Sequence, residues 1–168
     1  MSDHRVSIEW ARGAHAFTYE EYSRDHQWYF DGVGAPVAAS AATQFLGNGE
    51  LVDPEQAFVA SLASCHMLTF LAVAARRRLV VESYRDDAVG VLARNGEDRL
   101  ALTSVTLRPV IRFADDSEAP DPAALRSLHE RAHRECFLAN SVLCEIEVDL
   151  STQWATSDGA PALDGADG

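Results

Sequence analysis

Charge disappears from the chain between Ala57 and Ala75 and returns abruptly as Arg76-Arg77-Arg78. The uncharged run is opened by Asp53-Pro54-Glu55-Gln56. There the aspartate can accept from orphan amides of a helix start, proline fits the first helical position, and glutamine falls where a capping-box partner reaches back. The pattern predicts a helix beginning at Pro54, with the arginines closing it where positive charge suits the negative end of its dipole. A helix apolar on nearly every side must be buried on nearly every side, so this one is read as the long central buried helix of the domain. Its uncharged length approaches the roughly 20 residues a bilayer requires. Ser61, Ser64, His66 and Thr69 dilute the apolarity, however, and no second such stretch exists, so a soluble domain is the reading and a membrane is not a partner.

The remaining pattern has the period of strands. Val6, Ile8 and Trp10 alternate with Ser7 and Glu9, Phe17 alternates with Tyr19, and Gln27 to Phe30 is rich in aromatics, which predicts an N-terminal antiparallel sheet. Val37 to Ser40 adds a short strand before the turn Gly47-Asn48-Gly49. Val80 to Arg94 and Arg99 to Phe113 are two long β-leaning segments joined by Asn95-Gly96-Glu97-Asp98, the composition of a hairpin turn, and Pro109 places its strand at an edge or a bend. Asp121-Pro122 repeats the cap-plus-proline start and predicts a second helix from Pro122 to about Leu138, with Leu125, Leu128, Ala132, Cys136 and Phe137 on one face. In the last strand Cys144, Ile146, Val148 and Leu150 point one way and Glu145, Glu147 and Asp149 the other, making Cys144 a core thiol. Sheet, helix, hairpin, helix and strand together give an α+β class.

Length and charge narrow the setting. A chain of 168 residues suits one domain, large enough to bury about 70% of its unfolded surface without disulfide staples. We assign that domain to residues 1–154 and a disordered acidic tail to 155–168, whose Ala, Asp, Gly, Pro and Ser cannot bury enough surface to order themselves. Three cysteines make no secreted disulfide framework, and Met1-Ser2-Asp3-His4-Arg5 has no apolar signal core, so the expected compartment is the reducing cytoplasm. Acidic residues outnumber basic ones 26 to 14, a formal net charge of −12 that repels phosphate backbones and anionic lipid. Nucleic acid is therefore not an expected partner.

The candidate chemistry lies in the cysteines. Cys65 and Cys136 each fall on the apolar face of a predicted helix, and packing those helices together could bring their Cα atoms within the roughly 4.4–6.8 Å that a disulfide spans. A thiol of pKa near 8.5 is only a few per cent thiolate at neutral pH, and apolar burial lowers that fraction, so a working Cys65 needs a nearby cation. Arg24 and His66 are the candidates, although His66 points about 100° away from Cys65 around the helix. His129, His133 and Cys136 fall at i, i+4 and i+7 on one helical face. With Cys65 or His66 they could complete a tetrahedral zinc site.

The run Pro54-Glu55-Gln56-Ala57-Phe58-Val59-Ala60-Ser61-Leu62-Ala63-Ser64-Cys65, the later Ala132-His133-Arg134-Glu135-Cys136 with Asn140-Ser141, and the element order resemble the OsmC/Ohr family of thiol-dependent hydroperoxide reductases over about residues 5–150. The resemblance implies an OsmC-like fold in an intertwined homodimer, in which peroxide oxidises one cysteine and a second resolves it. It also carries a family arginine and glutamate over to Arg24 in Ser23-Arg24-Asp25-His26 and Glu55 in Pro54-Glu55-Gln56. Where many members have Pro-Tyr after the second cysteine, this chain has Phe137-Leu138-Ala139, and His66 after Cys65 is a further departure. The expected function is reduction of organic hydroperoxides by Cys65, with Arg24 stabilising charge, Glu55 holding Arg24, Cys136 resolving, an external dithiol as reductant and no bound cofactor or metal. Phe58, Met67, Leu68, Phe70 and Phe137 are available as an apolar substrate pocket. A His/Cys metal module and a non-catalytic redox sensor or stress protein of the same fold are the alternatives. One geometric demand stands apart from the resemblance, because Glu55 precedes Cys65 by ten residues, about 15 Å along a helix. Either the helix breaks around Ser61 to Ser64, or Glu55 and Arg24 reach Cys65 through other elements or another subunit.

Overall fold

The computed structural model describes residues 2–114 and 119–154; the tail expected from residue 155 lies outside the described residues. Strands β1 (Val6–Glu9), β2 (His26–Phe30) and β3 (Val37–Ala39) form an antiparallel sheet in that order. Helix α1 follows as Pro54–Arg76, then β4 (Val81–Asp86), β5 (Val89–Arg94), β6 (Leu100–Leu107), β7 (Pro109–Phe113), α2 (Pro122–Glu135) and β8 (Glu145–Val148). The class is α+β, as the sequence pattern indicates.

Helix α1 starts as its sequence dictates. Asp53 Oδ1 accepts from the Gln56 amide at 2.7 Å while Gln56 Oε1 accepts from the Asp53 amide at 3.2 Å, a reciprocal capping box with Pro54 at the first position. The helix runs unbroken for 23 residues. Its far end closes as a Schellman motif, with Leu79 N donating to Ala74 O and Arg78 N to Ala75 O. Arg78 sits there at φ 62°, in the left-handed region that favours glycine.

Two hydrophobic clusters flank α1. Leu62 on its N-terminal half packs with Val105 and Leu107 of β6, joined by Phe58, Ile146 and Val148. Phe70, Val73 and Ala74 on its C-terminal half pack with Ile111 of β7 and Leu125, Leu128 and Ala132 of α2. Gly90 of β5 lets the helix approach closely, since a Cβ there would lie 2.5 Å from Val59 Cγ2. Burial of α1 is nevertheless one-sided, correcting the expectation of a helix enclosed all round. Only Leu62, His66, Phe70, Val73 and Ala74 are fully buried, and Ser61, Ser64, Leu68 and Ala72 form an exposed stripe. α1 remains the one described helix long and apolar enough to cross a membrane by length and composition.

Three further expectations are corrected. Residues 17–19 form no strand; Glu21 N and Tyr22 N both donate to Thr18 O, turning the chain, and the aromatic alternation there reflects side-chain clustering. The two long β segments are each broken, so β5 pairs β6 around the 95–98 turn while β4 pairs β7 in a separate sheet. The break on the second arm comes at Arg108, just before Pro109, where the Arg108 amide leaves the ladder and donates instead to Asp86 Oδ1 at 2.7 Å. Helix α2 stops at Glu135 because Cys136 turns to extended backbone and Asn140 Nδ2 takes the Arg134 carbonyl at 3.1 Å. β8 joins β6 in parallel.

Replacing Arg78 by glycine relieves the left-handed strain at the α1 terminus and is expected to stabilise the fold by about 1 kcal/mol. Urea unfolding of Arg78→Gly reads this as a raised midpoint with an unchanged slope; a lowered midpoint would show that the arginine side chain does more for this terminus than its backbone conformation costs.

Candidate functional site

The three-residue link, Cys136 to Leu138, between the end of α2 and its following 3₁₀ turn places Cys136 against α1. Its thiol donates to Cys65 Sγ at 2.9 Å, and both cysteines are free. Cys136 is fully buried, and burial first, then the contact with Cys65, pushes its thiol up from the ordinary range. Cys65 is half-buried and opens on a cavity of about 910 Å³ lined by Ser61, Ser64, Leu68, Arg76, Arg134 and Phe137, among others. Arg76 and Arg131 converge on Glu135 at 3.4 and 2.8 Å, whereas no ion pair engages the Arg134 guanidinium among the described residues. Cys144 is half-buried beside the Leu62 cluster, away from this pair of sulfurs.

Arg24 and Glu55 form a second locus. They line one cavity of about 600 Å³ with Trp10, Phe17, Tyr22 and His26. The Arg24 guanidinium donates to Tyr22 O at 2.6 Å and to Tyr19 O, and it lies 3.8 Å from the Tyr22 ring centroid, within cation–π range. His26 Nδ1 donates to Arg24 O at 2.8 Å. Glu55 arrives through the compact loop before α1. Ser40 N donates to Val52 O, and Ser40 Oγ accepts from Asn48 N, each at 3.0 Å. Gly47 passes so close to this loop that a Cβ would fall 1.6 Å from Ala41 O. Within one chain, then, the structure brings Cys65 to Cys136 and sets Arg24 and Glu55 on one cavity with no ion pair between them among the described residues, and the unbroken α1 holds Glu55 about 15 Å from Cys65 along its axis. No break around Ser61 to Ser64 relieves that separation.

Of the five apolar candidates, Leu68 and Phe137 line the Cys65 cavity and are 60% and 82% exposed. Phe70 is fully buried in the α1–α2 cluster, Phe58 packs against Leu62, and Met67 is half-buried. The zinc alternative is not assembled: among the described residues no group of three or more His, Cys, Asp or Glu is arranged to hold a metal ion. His129 turns inward instead. Its Nδ1 meets His66 Nε2 at 3.0 Å, the rings are stacked at 5.3 Å, and Phe70 lies over His129 at 4.4 Å. Both imidazoles are buried, and His129 Nε2 has no protein partner among the described residues. Burial, with His133 adding to it, lowers His66 to about 4; burial, with His66 adding to it, lowers His129 to about 3. The spacing Leu62, His66, Phe70 at four-residue steps puts His66 on the core stripe, a signal in the sequence for this pair. Arg76 and Arg134 at the Cys65 cavity carry no such signal, since in the sequence one is a helix-end charge and the other part of a motif.

Comparison with known proteins follows the same lines. Residues 47–151 match the model of the family described as OsmC-like protein. An OsmC-like protein of unknown function from Vibrio cholerae has a similar structure, at TM-score 0.84 and 44% identity over 89% of this chain and 99% of that one. An organic hydroperoxide resistance protein from Legionella pneumophila, covering 88% of this chain and 94% of its own, shares the fold at TM-score 0.65 and 17% identity. One from Elizabethkingia anophelis, covering 88% and 93%, does so at TM-score 0.65 and 17% identity. No curated protein matches the chain significantly.

The buried imidazole pair generates a pH dependence with a definite sign. Both folded-state pKa values lie below the ordinary 6.5, so the unfolded chain binds more protons between about pH 6.5 and 4, and stability rises with pH across that window. The pair's contribution is present in full above about pH 6.5. It is lost as pH falls toward 4, at up to about 1.4 kcal/mol per pH unit for each ring. Urea unfolding between pH 7 and 5 is expected to show a shallower dependence of stability on pH for a His66→Phe, His129→Leu double variant than for the parent; equal dependences would remove the imidazoles from the acid response.

Proposed function

The chain belongs to the OsmC/Ohr family, and from that membership we propose that it is a cysteine-based peroxidase reducing organic hydroperoxides to alcohols. The observation that carries this reading is the 2.9 Å approach of Cys136 Sγ to a half-buried Cys65 that opens on a cavity. A nucleophile needs access and a resolving thiol needs proximity, and the two sulfurs divide those properties between them.

In the proposed cycle the Cys65 thiolate attacks the distal oxygen of ROOH. The O–O bond breaks, sulfur becomes sulfenic acid, and the alkoxide takes a proton to leave as ROH. The Cys136 sulfur then displaces the sulfenic hydroxyl, forming the Cys65–Cys136 disulfide and water. An external dithiol reduces that bond through a mixed disulfide and is itself oxidised. Arg24 stabilises thiolate and departing alkoxide, and Glu55 lies across the same cavity to orient it.

This assignment requires Arg24 and Glu55 to meet Cys65, which one chain does not achieve. We propose that a second copy supplies them in an intertwined homodimer. Two features support this: the exposed Ser61, Ser64, Leu68 and Ala72 stripe of α1, and the exposed apolar residues Val6 and Ile8 of β1. Exposed apolar surface of this extent marks an association face. Each peroxidatic site is then built from Cys65 and Cys136 of one protomer with Arg24 and Glu55 of the other.

Complementation between inactive variants tests the arrangement. Cys65→Ser is expected to abolish peroxide reduction, and Arg24→Met to slow it by roughly 10²–10³, the scale for losing a positioned stabiliser of developing charge. Refolding the two variants together in equal amounts yields heterodimers with one intact site each, restoring about a quarter of parental activity per chain. Recovery no greater than the mean of the separate variants would place Arg24 with the cysteine of its own subunit, or outside the site.

A further inference from the structure

We infer that the groove between α2 and β8 is a binding site for a small monocarboxylate with an apolar tail, separate from the pair of sulfurs. Arg126, His129, Glu130, His133 and Arg134 fall at i, i+3, i+4, i+7 and i+8 of α2, one stripe of the helix. They line one side of a cavity of about 310 Å³, and Ile146 and Val148 of β8 with Leu150 line the other. That volume lies at the small end of ligand sites, roughly 300–1,000 Å³. His129 gives the cavity a fixed polar point. It is only 2% exposed, and its Nδ1 is taken by His66 Nε2 at 3.0 Å with the two rings parallel to within 2°. The two nitrogens of an imidazole point away from one another, so Nε2 is directed away from α1. Nε2 is buried and has no partner among the described residues, although the ring lines the cavity. A buried polar atom left unpaired is costly, and an occupant that pairs with it removes that cost.

The protons decide which kind of atom the occupant presents. Burial keeps both imidazoles neutral at pH 7, so each carries one ring proton. His66 Nδ1 makes no hydrogen bond among the described residues, which puts the His66 proton on Nε2, where it donates to His129 Nδ1. His129 then carries its own proton on Nε2 and offers the cavity a donor, so the occupant supplies an acceptor. Charge makes that acceptor anionic. Arg126 and Arg134 are exposed at the rim, and neither forms an ion pair among the described residues. Two arginines against Glu130, with His133 neutral, leave one net positive charge on the lining. That suits a single negative charge better than the near-double charge of a phosphate. A carboxylate can accept from the imidazole and from an arginine together. Ile146, Val148 and Leu150 have no polar side-chain atom to offer the rest of the occupant, which is therefore apolar.

Titration of the full, reduced chain with hexanoate, hexan-1-ol, acetate and inorganic phosphate tests the site, read by calorimetry and by nitrogen-resolved imidazole resonances. Free protein is expected to show His129 protonated at Nε2, and that resonance is expected to move as hexanoate saturates one site per chain. Hexanoate is expected to bind at least about tenfold more tightly than each of the other three probes, since the alcohol lacks the charge and acetate and phosphate lack the tail. Arg126→Gln is the preferred variant, because Arg126 is exposed and Arg134 also borders the Cys65 cavity. It is expected to weaken hexanoate roughly tenfold while leaving hexan-1-ol within about twofold. The His66→Phe, His129→Leu double variant removes the donor without leaving either imidazole unpaired and is expected to weaken hexanoate by more than tenfold. Should that double variant fail to fold, the Arg126→Gln titration and the His129 proton position decide the matter. A proton on His129 Nδ1, phosphate or hexan-1-ol binding as tightly as hexanoate, or hexanoate affinity unchanged in Arg126→Gln would each overturn the inference. So would the absence of any hexanoate binding at millimolar concentration.

Discussion

A straight helix fixes distances that nothing else in the chain can alter, and α1 runs without a break from Pro54 to Arg76. Its first turn carries Glu55 and its middle carries Cys65, so one residue faces the Arg24 loop and the other faces the end of α2. The capping box at Asp53 and Gln56 holds the start of the helix, and the clusters around Leu62 and Phe70 hold its two halves. With those constraints in place, the chain presents two half-sites rather than one site. The proposed second copy follows from that rigidity, because rotating side chains cannot span about 15 Å.

The seam between the clusters is polar. His66 lies one helical turn from both Leu62 and Phe70, and it meets His129 beneath the Phe70 ring. Two neutral imidazoles in hydrogen-bond contact satisfy one another at one nitrogen each, and their burial keeps them uncharged at neutral pH. A core that tolerates them has a specific register between α1 and α2, since shifting either helix would strand both rings without partners. That register is also what aligns Cys65 with Cys136, so the buried pair acts as a positioning feature for the sulfurs without touching them.

Much of this is legible in the sequence, for physical reasons that can be named. Capping chemistry announces both helix starts to the residue, at Pro54 and Pro122, because orphan amides demand particular side chains. Two inward-facing thiols leave the approach of Cys65 to Cys136 open as one packing of the helices, and the separation of Glu55 from Cys65 follows from helical rise alone. Periodicity is weaker where tertiary contacts set the conformation. Phe17 and Tyr19 alternate like a strand, yet their rings belong to a turn that packs on Trp10 and Arg24. At the end of α2 Asn140 Nδ2 donates to Arg134 O, and at the strand break Asp86 Oδ1 accepts from the Arg108 amide. Such bonds join residues 6 and 22 positions apart and leave no periodic pattern. His129 falls four residues after Leu125 and three before Ala132, and so lies on the buried face of α2.

The central claim is that these two sulfurs form a working redox pair, and the identity of the first oxidation product tests it most directly. Reduced protein treated with one equivalent of an organic hydroperoxide, alkylated and mapped by peptide mass analysis, is expected to contain a Cys65–Cys136 disulfide with Cys144 alkylated as a free thiol. A bridge that includes Cys144, or recovery of all three cysteines as free thiols, would contradict the account.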